Sequence, residues 1–527
     1  MRNGRRSLAI ALGAIALMAL ILRFHRLDNV PVSVYCDEAF HGYEAWCLLE
    51  TGRDSRGVLL PFFFDIFGRG WGEPLYTYAT VPAVALLGLT PAAPRAVAAL
   101  GGSLAVLSTA LMTLELLGGA SRSRARLAAN IAALTMAISP WSFHLSRVGF
   151  QASLLPLALA AGFWGLARGV RSGRGGSLIG GAAALGLSFY TYTIARLAAP
   201  LLLAGFLMLH RRAFAGLRRS GIAAAAVLAL LVIPVAAFSF TAAGRQRLGD
   251  VSIFNHPEVS SRGGAAAAGL AVSHYLSYFS PRFLLLSGDD NPRHSIPGHG
   301  LLHPHDAALL AAGIAGAALL RSPGALFLFW WLACAPVAAA LTVDPRHAVR
   351  AICGQPGLYA LCGMGGVLVF DLARSLTPAG WRRLMIALGW SAMLVAAGVS
   401  TAGYFRDYFT SYPLHSGPAW QYGFKEAFAA ADSLGATHDS IYVTRQDDYP
   451  YILYLFHRQF PPREYQQHRL SRTKYLFDEE VFYRGAAIPG RLNPLFILKP
   501  WELESSTLTA RRRIAHPDGA DALVIAW

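Results

Sequence analysis

Two carboxylates stand side by side in Tyr35-Cys-Asp-Glu-Ala-Phe-His-Gly-Tyr43. A carboxylate held against a substrate hydroxyl can take its proton as a general base. Adjacent acids also suit the first turn of a helix, whose amide dipoles favour negative charge, so Asp37 and Glu38 carry both readings. Four further clusters hold most of the other chemistry-bearing residues. Ser139-Pro-Trp-Ser-Phe-His-Leu-Ser-Arg147 contains His144 and Arg147, and Tyr190-Thr-Tyr-Thr-Ile-Ala-Arg196 ends in a lone arginine between apolar stretches. Asp344-Pro-Arg-His-Ala-Val-Arg350 is cationic. Gly288-Asp-Asp-Asn-Pro-Arg-His294 with Ile296-Pro-Gly-His-Gly300 gathers histidines and carboxylates in a turn-rich loop. Arginine suits a phosphate because its planar fork donates two hydrogen bonds at once. Taken singly, such arginines and aromatics also serve as interfacial anchors. The histidine-bearing loop has no recognised metal spacing and reads first as packing. Asp54 and Asp65 read as turn or capping residues.

The elements that position these clusters are apolar. Of 527 residues, 54% are hydrophobic and 14% charged, too little charge to cover a soluble protein of this size. Runs long enough to cross a hydrocarbon core recur over the first 400 residues. The expected fold is an all-α polytopic membrane domain of about eleven spans, thirteen at most, covering 1–405, with a small extracytoplasmic α/β domain at 406–527. The net charge of +16 lies largely in short arginine clusters between apolar runs, as cytoplasmic loops require, and no nucleic-acid-binding signature accompanies it. The N-terminal stretch resembles a signal peptide, but Leu22-Arg-Phe-His-Arg26 offers no small-residue cleavage site, so an uncleaved first span is expected. Five cysteines make no metal spacing; Cys36 and Cys47 are either a pair or free thiols.

Charge sets the orientation. Three arginines before the first span (7–23) put the N-terminus in the cytoplasm, and Ser121-Arg-Ser-Arg-Ala-Arg126 lies inside if 75–91 is a short interfacial helix. Spans are then expected at 96–118, 127–143, 153–169, 177–193, 196–210, 221–239, 305–320, 324–342, 355–373 and 384–403. The segments 24–95, 143–152, 240–304 and 343–354 gather on the outer face of the plasma (inner) membrane, with 24–95 and 240–304 as the long outer loops. Outward acids with outward arginines suit transfer from a lipid-linked phosphate: a base activates the acceptor and arginines stabilise the departing phosphate. The alternative is a transporter or flippase of lipid-linked sugars. That reading calls for ionisable residues at mid-span and an internal repeat, and no repeat is visible.

The ordered series resembles the polytopic glycosyltransferases of the GT-C fold that use polyprenyl-phosphate sugars, such as protein O-mannosyltransferases and lipid A aminoarabinose transferases. It runs over about 400 residues: Asp37-Glu-Ala39, Gly52-Arg-Asp-Ser-Arg-Gly57, Pro74-Leu-Tyr-Thr-Tyr78, Arg95, Ser139-Pro-Trp141 with Ser146-Arg147, Tyr190-Thr-Tyr192 with Arg196, and His347 to Arg350. The resemblance implies an inverting transfer to the hydroxyl of a lipid, glycan or protein acceptor. Asp37 would be the base with Glu38 beside it, Arg196 and Arg350 the phosphate contacts, and Arg147 and His347 nearby. Tyr43, Tyr76, His144, Gln151, Tyr192 and His294 are candidates for substrate contact. Gln151 stands where the family often has an acid, which leaves no second carboxylate in that loop. No cofactor is called for, and a divalent metal is not favoured. Partners are the polyprenyl-phosphate sugar, the acceptor and membrane lipids.

In the C-terminal part, 416–432 reads as an amphipathic helix and 440–444 as a strand. A short helix is expected at 449–456 and β segments near 494–498 and 522–526. Asp447-Asp448 reads as a turn.

Overall fold

The computed structural model describes residues 2–527 apart from 69, 120, 377–380 and 478–492. The chain forms two compact units: Met1–His25 with Gly68–Leu75 and Ala98–Phe405, and Arg26–Phe67 with Tyr76–Val97 and Arg406–Trp527.

The first unit is helical. Among the described residues, eight helices are long and apolar enough to cross a membrane: Arg6–Phe24, Ala92–Leu117, Gln151–Ser172, Ala195–Phe214, Arg218–Ser239, Pro323–Ala340, Ile352–Ser375 and Leu384–His415. The chain is therefore a multi-span membrane protein. The other three expected spans fall on shorter helices, Arg122–Ile138, Gly175–Ser188 and Pro304–Leu320, of 17, 14 and 17 residues. At about 1.5 Å per residue these fall short of a hydrocarbon core about 30 Å thick. Ser139 and Pro140 end the first of them, because Pro140 lacks the N–H that would continue the ladder. The segment expected as an interfacial helix at 75–91 forms Leu75–Leu87, only 13 residues. The long loop at 240–304 is largely structured, with helices Ala242–Val251, Pro257–Arg262 and Gly264–Ser277.

Between apolar helices little hydrophobic driving force remains in lipid, so close approach of backbones supplies much of the packing. Pro304–Leu320 and Gln355–Leu376 achieve it through glycine. A Cβ on Gly365 would lie 1.9 Å from the carbonyl oxygen of Leu309, and one on Gly313 would lie 2.1 Å from that of Leu361.

The second unit opens on a helix, α1 (Cys36–Thr51), and includes most of Leu75–Leu87. Helix α1 ends where Gly52 takes the left-handed conformation, φ 67°. Gly42 in its middle lies beneath the ring of Phe456, which a Cβ would approach to 2.7 Å. The C-terminal part adds a five-stranded mixed sheet of β1 (Ser440–Val443), β2 (Tyr475–Leu476), β3 (Pro494–Leu498), β4 (Ala510–Ala515) and β5 (Asp521–Ala526), ordered β2-β1-β3-β5-β4. Strands β1 and β3 pair in parallel, while β5 runs antiparallel to both β3 and β4. Three of these strands were legible as apolar runs. Strand β4 was not, because it carries Arg511, Arg512 and Arg513 on an exposed edge. The expected helix at 416–432 is shorter, Phe424–Leu434, and follows a 3-10 turn at Pro418–Trp420. All five cysteines are buried thiols outside any disulfide, and Cys36 and Cys47 lie on α1 itself.

Gly365→Ala is expected to lower the melting temperature of the detergent-solubilised protein, since overpacking costs about 1–3 kcal/mol. Gly389→Ala, in an open part of helix Arg382–Phe409 with nothing within 4 Å, is expected to leave it unchanged or raise it slightly.

Candidate functional site

The two acids of the motif occupy different surroundings. Glu38 is at the third position of α1, and its Oε2 accepts the backbone N–H of Tyr35 at 3.3 Å, closing the helix start. Arg95, four residues into the helix that begins at Ala92, meets the same carboxylate twice: Nε to Oε1 and NH2 to Oε2, both at 2.9 Å. Neither side chain has any solvent exposure. The other guanidinium donors go to the carbonyls of Leu27, Pro31 and Ser33 at 3.1, 3.0 and 2.5 Å, and the Trp420 ring lies 5.8 Å away. Asp37, one residue earlier, is half-buried.

Residues of the C-terminal part hold the start of the same helix. The backbone N–H of Cys36 donates to Gln421 Oε1 at 2.9 Å, and the Tyr35 hydroxyl donates to Asp448 Oδ2 at 3.0 Å. Gln421 Nε2 in turn donates to the Asp448 carbonyl at 2.7 Å. Gln421 and Tyr449 both adopt positive φ, 49° and 51°, which non-glycine residues rarely do without support from their surroundings. Asp448 alone reads as part of a turn and Gln421 carries no signal, because their partners Tyr35 and Cys36 lie 413 and 385 residues away in the chain.

Further along α1, burial pushes the Glu44 carboxyl up to about 7, against hydrogen bonds from the hydroxyl and amide of Ser55 that lower it. Tyr43 is buried and donates its hydroxyl to the Phe460 carbonyl at 2.9 Å; Tyr76 is buried and donates to that of Pro94 at 2.6 Å. Both hydroxyls are thus committed to the protein's own backbone.

The first unit contains an acid that sequence reading passed over. Glu73 has no side-chain exposure, and its carboxylate accepts from Arg196 NH2 at 3.0 Å, Thr193 Oγ1 at 2.7 Å and Gln151 Nε2 at 3.3 Å. Gln151, expected to mark a missing second carboxylate, is therefore hydrogen-bonded to one contributed by a different segment. The signal was Glu73 itself, a lone acid directly before Pro74-Leu-Tyr-Thr-Tyr78. Arg196 keeps a buried Nε with no partner among the described residues.

Arg350 pairs with Asp344 at 2.8 Å and donates to Thr342 Oγ1 at 2.7 Å, and Asp344 is largely exposed. Arg147 is fully buried and caps the end of the first span, donating to the carbonyls of Leu22 and Arg23 at 3.0 and 2.7 Å. His144 is buried, with Nε2 2.8 Å from the Arg293 carbonyl oxygen. His294 and His347 lie against each other, ring centroids 4.4 Å apart, and Tyr192 is half-buried in the turn before Arg196. The structure thus brings Glu73, Gln151 and Arg196 into one cluster, and His294, His347 and Arg350 into neighbouring positions.

With this architecture in view, solved structures match the chain over most of its length. The structure of ArnT from Cupriavidus metallidurans bound to undecaprenyl phosphate gives a TM-score of 0.56 at 14% identity, covering 98% of this chain and 97% of that one. Its apo form gives 0.57 at 14% identity, covering 99% and 98%. The archaeal oligosaccharyltransferase AglB from Archaeoglobus fulgidus, in complex with an inhibitory peptide and a dolichol-phosphate, gives 0.53 at 15% identity, covering 86% of this chain and 64% of that one. At these identities the likeness establishes the fold: a multi-span helical membrane protein with a small C-terminal sheet, of the GT-C architecture expected from the sequence. No protein-family model and no curated protein sequence matches the chain.

Glu73→Gln is expected to destabilise the protein by about 1–3 kcal/mol, because Arg196 is left without its counter-charge. In a double-mutant cycle read by thermal unfolding, Glu73→Gln/Arg196→Gln is expected to cost less than the sum of the single substitutions.

Proposed function

We propose that this chain is an integral membrane glycosyltransferase. It would move a sugar from a polyprenyl-phosphate carrier to an acceptor hydroxyl at the outer face of the membrane, with inversion. The observation that carries the reading is the unequal treatment of the two acids. Glu38 is fully buried against Arg95 and the helix start, whereas Asp37, on the same first turn, is half-buried. The fold likeness adds to it, since the ArnT and AglB structures each hold a polyprenyl phosphate.

In this mechanism Asp37 takes the acceptor proton as its oxygen attacks the anomeric carbon. The bond from that carbon to the phosphate oxygen breaks, and the polyprenyl phosphate leaves with the electron pair. Arg196 and Arg350 stabilise the charge that gathers on the leaving group. Arg350 can open from the exposed Asp344, and Arg196 has donor capacity beyond Glu73. Glu38 acts as a positioning residue, holding the first turn of α1. Arg147 fixes the end of the first span, and His347 lies near Arg350 on the same segment. The C-terminal part steadies Asp37 through Gln421 and Asp448 rather than reacting itself.

The test is transfer of label from a panel of radiolabelled polyprenyl-phosphate sugars to a cell-envelope extract. Wild type is expected to transfer label and release polyprenyl phosphate. Asp37→Asn is expected to lose at least about a hundredfold, the scale of a general base. A folded Asp37→Asn variant as active as wild type would remove Asp37 from the chemistry. Lipid flipping in proteoliposomes without transfer in either protein would favour the transporter reading instead.

A further inference from the structure

Asp289, His294 and His347 lie outside the long apolar helices, on the two stretches 288–295 and 343–350 of the first unit. Each offers one ligand atom, and these atoms all lie within 4.8 Å of one another. Asp289 Oδ2 and His294 Nδ1 are 3.0 Å apart. Two ligand atoms on one tetrahedral zinc, each about 2.0–2.1 Å from the ion, stand about 3.3 Å apart, so this pair is already near ligating distance. Asp289 and His294 are buried and His347 is half-buried.

The carboxylate is held from behind as metal ligands usually are. Asp289 Oδ1 accepts the Asn291 N–H at 2.9 Å, and Oδ2 accepts that of Ala348 at 2.7 Å. The Tyr278 hydroxyl accepts the backbone N–H of His347 at 3.1 Å, and His144 Nε2 meets the Arg293 carbonyl at 2.8 Å. Three nearby arginines are matched by other acids. Asp290 takes Arg282 and Arg346 at 3.5 and 3.1 Å, and Asp344 takes Arg350 at 2.8 Å. The 3.4 Å contact from the Arg350 amide to His347 is long for a hydrogen bond and costs little to give up.

We propose that Asp289, His294 and His347 form a divalent transition-metal site, with zinc the best match, that clips 288–295 to 343–350. Two imidazoles and one carboxylate are a borderline donor set that suits zinc better than magnesium or calcium. The fourth position is left for water. The ion would fix the segment on which Arg350 follows His347 by three residues. This inference stands apart from glycosyl transfer, because metal binding is read without activity.

The probe is zinc itself, added to the purified full chain after chelator treatment and measured by elemental analysis after dialysis. Wild type and His299→Gln are expected to retain about one equivalent, and His294→Gln and His347→Gln to bind at least about a hundredfold more weakly. Cobalt offers a second readout that needs no variant: wild type is expected to show the visible bands of a tetrahedral nitrogen–oxygen site without thiolate charge transfer. Failure of wild type to hold stoichiometric zinc, zinc retained in both ligand variants, or a cobalt spectrum of thiolate type would each overturn the site.

Discussion

Glu38 and Arg95 meet at two points with no exposure on either side chain, and the start of α1 depends on that contact. Burying two charges is unfavourable unless each finds a full set of partners. Here the carboxylate takes two guanidinium donors and a backbone amide, while the guanidinium also serves three carbonyls between Leu27 and Ser33. The segment leading into α1, the helix carrying Arg95 and the first turn of the acidic helix are therefore tied at one locus. Asp37 stands next to that locus, half-buried on the same first turn. A fixed backbone and a part-exposed carboxylate are what a positioned base requires.

The same economy recurs elsewhere. Glu73 orders Gln151, Thr193 and Arg196, and Asp289 orders 288–295 against Ala348. In each case one buried acid gathers donors from segments distant in sequence. Low dielectric makes such clusters rigid when satisfied and costly when broken. The C-terminal part joins in through Gln421 and Asp448, whose neighbourhood includes two residues held at positive φ.

Much of this was legible in the sequence, and the reason differs from one element to the next. Apolar length announced the eight long helices, since hydrocarbon thickness sets a minimum run. The acidic pair was visible, but the division of labour within it was not, because periodicity cannot say which carboxylate an arginine 57 residues away will take. Gln151 read as a gap where an acid was expected; the acid came from Glu73, 78 residues earlier, and only the fold joins them. Strand β4 escaped notice because three arginines hide its period, and the Asp289–His294–His347 cluster because its third member lies on another segment.

Thermal unfolding of Glu38→Gln beside Asp37→Asn, in the same detergent, tests the separation of structural from chemical acid most directly. Glu38→Gln should cost about 3–5 kcal/mol, since it strands the buried Arg95 charge. Asp37→Asn, which keeps the side chain's size and one of its oxygens, should cost clearly less, about 1 kcal/mol or below. Equal destabilisation by the two substitutions, or a neutral Glu38→Gln, would contradict the assignment of Glu38 to structure and Asp37 to chemistry.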